Sequence, residues 1–160
     1  MPDKLYCIDT SALLDGWVRH YPPDVFPALW SRIDQLIENR RLIATVEVLI
    51  EIERKDDDLF AWVKKRKDAL FVPLDEPIQL VVADILAGFP KLGDTRRNRS
   101  AADPFVIALA ELRSATVVTG ERPTNTLHRP NIPDVCSARH IPCIPLLKLI
   151  RNERWIFKTP

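Results

Sequence analysis

The sequence predicts an α/β protein with a central parallel sheet covered on both faces by helices. Short apolar, β-branched runs alternate along the chain with longer segments whose apolar residues recur at helical spacing. Prolines, 14 against only 4 glycines, punctuate the chain between those segments. A length of 160 residues, without internal repeat, low-complexity tract or linker, fits one domain spanning residues 1–160. Hydrophobic residues at 46% and charged residues at 28% exclude intrinsic disorder of the whole, and a net charge of +1 gives no global excess for nucleic acid.

The first strand is Leu5 to Ile8, ended by Asp9-Thr10-Ser11, a turn or helix start. Asp24 is expected to cap a helix in which Val25, Phe26, Leu29, Trp30, Ile33, Leu36 and Ile37 share a face. Leu42-Ile43-Ala44 reads as a second strand, followed by a helix carrying Val48, Leu49 and Ile52. The acidic run after Lys55 breaks that pattern, and Leu59 to Lys67 resumes as an amphipathic helix. Leu70 to Val72 is a strand or edge segment, and Ile78 to Leu86 a helix. The basic, polar stretch Gly88 to Arg99 is a loop of about twelve residues, a length at which loops tend to be functional. Ala101 to Arg113 is a helix with Asp103-Pro104 in cap-then-proline order. Thr116 to Thr119 is a buried strand, and Pro123 to Pro133 a loop. Val135 to Arg139 is one helical turn, and Ile141 to Leu147 an extended, proline-broken strand.

Cys7, Cys136 and Cys143 are an odd number without CxxC spacing, which argues against a disulfide framework or zinc ribbon and for a reduced compartment. No apolar run approaches the ~20 residues that span a bilayer. Met1 to Lys4 does not open like a signal peptide. The expectation is a cytoplasmic protein that does not enter the membrane.

Ligands of an open parallel sheet bind beyond the carboxyl ends of its strands. Acids recur at those places: Asp9 after the first strand, Glu47 and Glu51 after the second, Asp103 before the fourth and Glu121 after it. Carboxylates sharing a pocket repel unless a cation neutralises them, and a hard divalent ion suits such a cluster. The chemistry implied is phosphodiester hydrolysis. Each acid also has a plainer reading. Asp9 and Asp103 look like helix caps, Glu47 and Glu51 like a solvated pair, and Glu121 like an exposed turn residue.

Four segments together resemble the motifs of PIN-domain nucleases. Tyr6-Cys7-Ile8-Asp9-Thr10-Ser11-Ala12-Leu13-Leu14 is similar to the opening strand and turn of that family, and Thr45-x-x-Val48-x-x-Glu51-Ile52 to its second motif. Ala102-Asp103-Pro104 through Ala110 resembles the third, and Val117-Val118-Thr119-Gly120-Glu121 the fourth, with Glu where Asp is usual. The resemblance implies an α/β/α sandwich and a Mg²⁺- or Mn²⁺-dependent ribonuclease leaving a 5′-phosphate and a 3′-hydroxyl. Many small members are VapC-type toxins neutralised by a cognate antitoxin, and homodimers are usual. Carried over, Asp9, Glu51, Asp103 and Glu121 would hold the metal, with Glu47 as substitute or extra ligand. Thr10, Ser11 and Thr119 would support them. Asn131 to Cys136 is closer to a longer PIN-like subgroup.

Arg96, Arg97, Arg99 and Arg122 flank two of these acids, with Arg129 beyond, and are candidates for contacting an RNA backbone. The run Lys64 to Lys67 reads as a solvated helix end. The four tryptophans read as core or interface. The three histidines are scattered, and Trp155 to Phe157 is an apolar tail that packs on the core or on a second subunit. Two rivals fail at a required residue. An adhesion module would need Ser at Leu13, and an aspartyl-nucleophile phosphatase would need an acid at Ser11. A third, a catalytically weak PIN-like scaffold that binds RNA or protein without cutting it, stays open.

Overall fold

The computed structural model describes residues 3–92 and 101–159. Among them, β1 (Tyr6–Ile8), β2 (Leu42–Thr45), β3 (Phe71–Val72), β4 (Thr116–Val118) and β5 (Cys143–Ile144) form one sheet, every neighbouring pair parallel, in the order β3-β2-β1-β4-β5. Parallel strands buried on both faces need continuous apolar runs, and Tyr6, Cys7 and Ile8 are essentially inaccessible. The register sets Tyr6 beside Leu42 and Thr116, and Ile8 beside Val118. Strand order reverses at β1, so its carboxyl end is the switch point where crevices form in such sheets.

The helices sort into two groups. One comprises α1 (Thr10–Leu14), α2 (Pro27–Glu38), α3 (Val46–Lys55), α4 (Asp57–Lys64) and α5 (Lys67–Leu70). The other comprises α6 (Glu76–Gly88), α7 (Asp103–Arg113) and α8 (Ile132–Ala138), packed in sequence on one another. Right-handed crossovers explain the division. Connections from β1 to β3 step one way across the sheet, and those from β3 to β5 step back. The expected α/β/α sandwich is what forms. Among the described residues, no helix is long and apolar enough to cross a membrane.

Several boundaries differ from the sequence-based expectation. Asp24 lies in a turn, and α2 starts at Pro27, which loses nothing by lacking an N–H at the first helical position. Val25 and Phe26 are accordingly exposed, and the buried face begins at Leu29. The helix expected over 59–67 breaks after Lys64 and resumes as α5, while Asp56 caps α4 by accepting from Leu59 N (2.8 Å). Gly88 closes α6 rather than opening the loop. Helix α8 is longer than one turn, because Asn131 and Asp134 form a capping box ahead of it. The strand expected over 141–147 is only Cys143–Ile144, since Pro145 ends it and α9 (Leu146–Asn152) follows. After α1 the chain continues as a π-helical turn, Asp15–His20.

Trp17, Trp30 and Trp62 pack ring against ring, with centroids 4.9–5.7 Å apart. Arg66 stacks on Trp62 and pairs with Asp34 (2.6 Å), so within its basic run this cation serves the fold. The three cysteines are free thiols. At the far end of the chain, Glu153 takes two hydrogen bonds from Arg41 (2.8 and 2.9 Å) and one from the Tyr6 hydroxyl (2.7 Å). Ile156 and Phe157 beyond it are exposed rather than packed on the core.

Candidate functional site

Asp9 is the residue immediately past β1, and Thr119 the residue immediately past β4. Because Ile8 and Val118 are register partners, these two side chains meet. Asp9 is the N-cap of α1: its carboxylate accepts from Ala12 N (2.7 Å), from the Ser11 hydroxyl (2.9 and 2.7 Å) and from the Thr119 hydroxyl (2.5 Å). The hydroxyl protons have a defined direction. Gly120 N donates to Ser11 Oγ (2.9 Å) and Glu121 N to Thr119 Oγ1 (3.1 Å), leaving both hydroxyls to donate to Asp9. Burial nevertheless pushes the Asp9 carboxyl up to about 7. The three donors pull against that rise, and the Glu121 charge adds to it. The cap reading of Asp9 therefore holds.

Asp103 is buried at 4% exposure, yet it is not the cap of α7. Ala102 holds that position, Asp103 is the first helical residue, and Pro104 at the second takes the place of an N–H that has no helical partner. Glu51 lies on α3, and its Oε1 accepts from Ala102 N (3.0 Å), joining α3 to the start of α7. Glu121 is steadied likewise, with Oε1 accepting from Ile132 N (3.0 Å) at the start of α8.

Asp9, Glu51, Asp103 and Glu121 all line one cavity of about 310 Å³ at the carboxyl end of the sheet, with Thr10 and Ser11 on its wall. Glu47, one helical turn before Glu51, is not part of that wall. Thr119 and Arg122 instead line a second cavity of about 610 Å³, which shares Asp15 and Glu121 with the first. Arg96, Arg97 and Arg99 lie outside the described residues.

Four wall residues of the acidic cavity escaped the sequence reading: Asp15, Arg19, Lys55 and Asn131. Asp15 is four residues after Ser11 and Lys55 four after Glu51, so helical spacing from those two candidates is the signal that finds them. Asp15 pairs with Arg19 (2.9 Å) and packs over Gly120, where a Cβ would collide with its carboxylate. Asn131 carries no such signal; the fold of the 121–131 loop brings it in. Asp134 organises that loop, accepting from Thr124 N, Asn131 N and Asn125 N (2.8–2.9 Å) and from the Thr124 hydroxyl (3.0 Å).

The donor set at the acidic cavity is entirely oxygen, with no His or Cys on its wall. Thr10 Oγ1 adds a buried hydroxyl that has no hydrogen-bond partner among the described residues. Among the described residues, no three His, Cys, Asp or Glu side chains gather closely enough to hold one ion between them. The residues suit a hard cation taken by one or two carboxylates and otherwise hydrated, the usual situation of Mg²⁺.

Comparison with solved structures places this fold among known ones. Residues of the chain superpose on FitAcB from Neisseria gonorrhoeae with a TM-score of 0.52 at 15% identity, covering 88% of this chain and 96% of that one. VapBC2 from Rickettsia felis, bound to a DNA fragment from its promoter, matches with a TM-score of 0.52 at 14% identity over 88% and 96% of the respective chains. No curated protein sequence matches. The fold is PIN-like, as the four motifs implied. A family model matches residues 6–157, and the chain belongs to that family, Domain of unknown function (DUF4411).

Proposed function

We propose that this chain is a divalent-metal-dependent endoribonuclease acting as one domain, and that it is the toxin of a toxin–antitoxin pair. The observation that carries the nuclease reading is the meeting of Asp9, Glu51, Asp103 and Glu121, from four separate stretches of chain, on the wall of one cavity. Asp9 and Asp103, the two most buried, are the first choice to hold Mg²⁺ or Mn²⁺, with Glu51 and Glu121 reaching it through water. The ion supplies charge stabilisation at the phosphate and a water of lowered pKa.

The chain's own groups do the rest. Ser11 and Thr119 hold the Asp9 carboxylate in one orientation and favour its charged form. The N–H groups of Ala102 and Ile132 fix Glu51 and Glu121 against drift. Lys55 and Arg122 place cations beside the acids, where an RNA backbone would otherwise be repelled. The substrate is RNA, and hydrolysis leaves a 5′-phosphate and a 3′-hydroxyl. The toxin reading is supported by the fold shared with FitAcB and VapBC2, and predicts a cognate antitoxin and a homodimeric toxin.

The test is cleavage of single-stranded RNA by the purified chain with Mg²⁺ or Mn²⁺. Asp9→Asn and Asp103→Asn should abolish cutting while circular dichroism stays native. RNA binding without cleavage under either ion would replace the enzyme by a PIN-like binding scaffold. Unimpaired growth on expression of the wild-type chain alone would remove the toxin reading and leave the nuclease.

A further inference from the structure

We propose that the 610 Å³ cavity beside the acidic one receives a nucleobase of the RNA strand, next to the phosphodiester that is cut; this rests on the ribonuclease reading above. The two cavities are adjacent compartments that share a ridge, Asp15 and Glu121, whose residues line both. A strand whose phosphate reaches the carboxylates must send its next base somewhere, and this is the compartment across the ridge.

The linings differ as those two chemistries require. The smaller cavity is carboxylate with flanking cations. The larger has an apolar wall of Ile144, Pro145, Leu146 and Leu147, with Tyr21, His20 and Arg122 also on its lining beside the shared Asp15 and Glu121. An apolar slot with an aromatic face and a few polar groups is how single-stranded RNA bases are held. Its volume falls within the ~300–1,000 Å³ of small-molecule sites, room for a nucleoside but not for a duplex.

Tyr21 is set in place before any ligand arrives. Its N–H donates to Gly16 O (2.8 Å), its carbonyl accepts from Trp30 Nε1 (2.6 Å), and its ring packs edge-on against Phe26 (5.6 Å between centroids). The ring therefore pays little ordering entropy on stacking. Those backbone bonds survive truncation of the side chain, which makes Tyr21 a usable probe. Leu147 is 44% exposed at the cavity wall, so a charge there does not enter the core.

The experiment measures KM and kcat for a short single-stranded RNA with Mn²⁺, and its dissociation constant by fluorescence anisotropy with calcium in place of manganese. Tyr21→Ala and Leu147→Glu should each raise KM and Kd about tenfold, the loss of one stacked base. Tyr21→Phe should stay within about twofold of wild type, as should Leu80→Glu on the exposed face of α6. Cleavage with unaltered KM in both folded variants overturns the base site and leaves the ribonuclease standing. Binding that depends on Tyr21 and Leu147, without cleavage by the wild-type chain, supports the base site and overturns the ribonuclease. Unaltered RNA parameters, with Leu147→Glu instead releasing a co-expressed protein partner, would assign the cavity to that partner and overturn the proposal.

Discussion

Replacing Asp134 by Asn keeps its shape and removes its charge and one acceptor, which isolates what holds the loop behind Glu121. In the wild type, Oδ2 takes the N–H groups of Thr124 and Asn131 and the Thr124 hydroxyl, and Oδ1 takes the N–H of Asn125. An Asn in its better orientation keeps the first three as weaker neutral bonds and turns an amide N–H against Asn125. Bonds to a charged group contribute about 1.5–3 kcal/mol and neutral ones about 0.5–1.5, so three weakened bonds and one lost bond come to about 4.5–7.5 kcal/mol before water replaces any of them. Residues 122–129 are exposed and water replaces part of the loss, leaving about 2–4 kcal/mol. For a chain of this size that lowers Tm by about 5–12 °C. Burial pushes the Asp134 carboxyl up, but the Thr124, Asn131 and Asn125 N–H groups and the Thr124 hydroxyl outweigh it and hold it below the usual value. A depressed folded pKa stabilises above the unfolded value of about 3.9 and loses that contribution as pH falls through the folded pKa. The gap between wild type and D134N should therefore be full at neutral pH and close in strong acid. Scanning calorimetry of both proteins from pH 7 down to about pH 2 measures it. A Tm within about 1 °C of wild type at pH 7 would refute the reasoning, because the four bonds would then carry no net stability.

Other perturbations test the site itself. In metal-free protein the raised Asp9 carboxyl, about 7, means the folded state holds a proton that the unfolded chain has lost above pH ~4. Stability in chelator should fall as pH rises from about 4 to about 7, and flatten in Asp9→Asn; a wild-type profile that rises over that window contradicts the assignment. Mn²⁺ should raise Tm more at pH 8 than at pH 5, read by the same calorimetry, because the ion binds the deprotonated form. Glu51→Gln should reduce RNA cleavage at least tenfold while Glu47→Gln leaves it within about twofold, since only Glu51 stands on the cavity wall; equal losses would bring Glu47 into the site. Gly120→Ala drives a methyl into the Asp15 carboxylate and should disturb the ridge between the two cavities, lowering kcat/KM about tenfold with circular dichroism unchanged.

What could be read in advance follows from which interactions are local. Apolar runs of three or four residues announced β1, β2 and β4, because a strand buried on both faces must be apolar throughout. Spacing announced α3, α6 and α7, and the motif order picked out Asp9, Glu51, Asp103 and Glu121, which the fold sets on one cavity wall. Local rules also misled. Asp24 and Asp103 both look like caps, yet proline decided the start of α2 at Pro27, and the bond between Glu51 and Ala102 N joins the start of α7 to another helix.

The tertiary structure decided everything that depends on strand order. Asp9 meets Thr119 because β4 lies beside β1, across a separation of 110 residues that no periodicity reports. Packing likewise put Glu51 rather than Glu47 on the cavity wall, brought in Asp15 and Asn131, and set an apolar compartment against the acidic one. Periodicity tells a residue which face of its own element it occupies; only packing tells it which other element it will face.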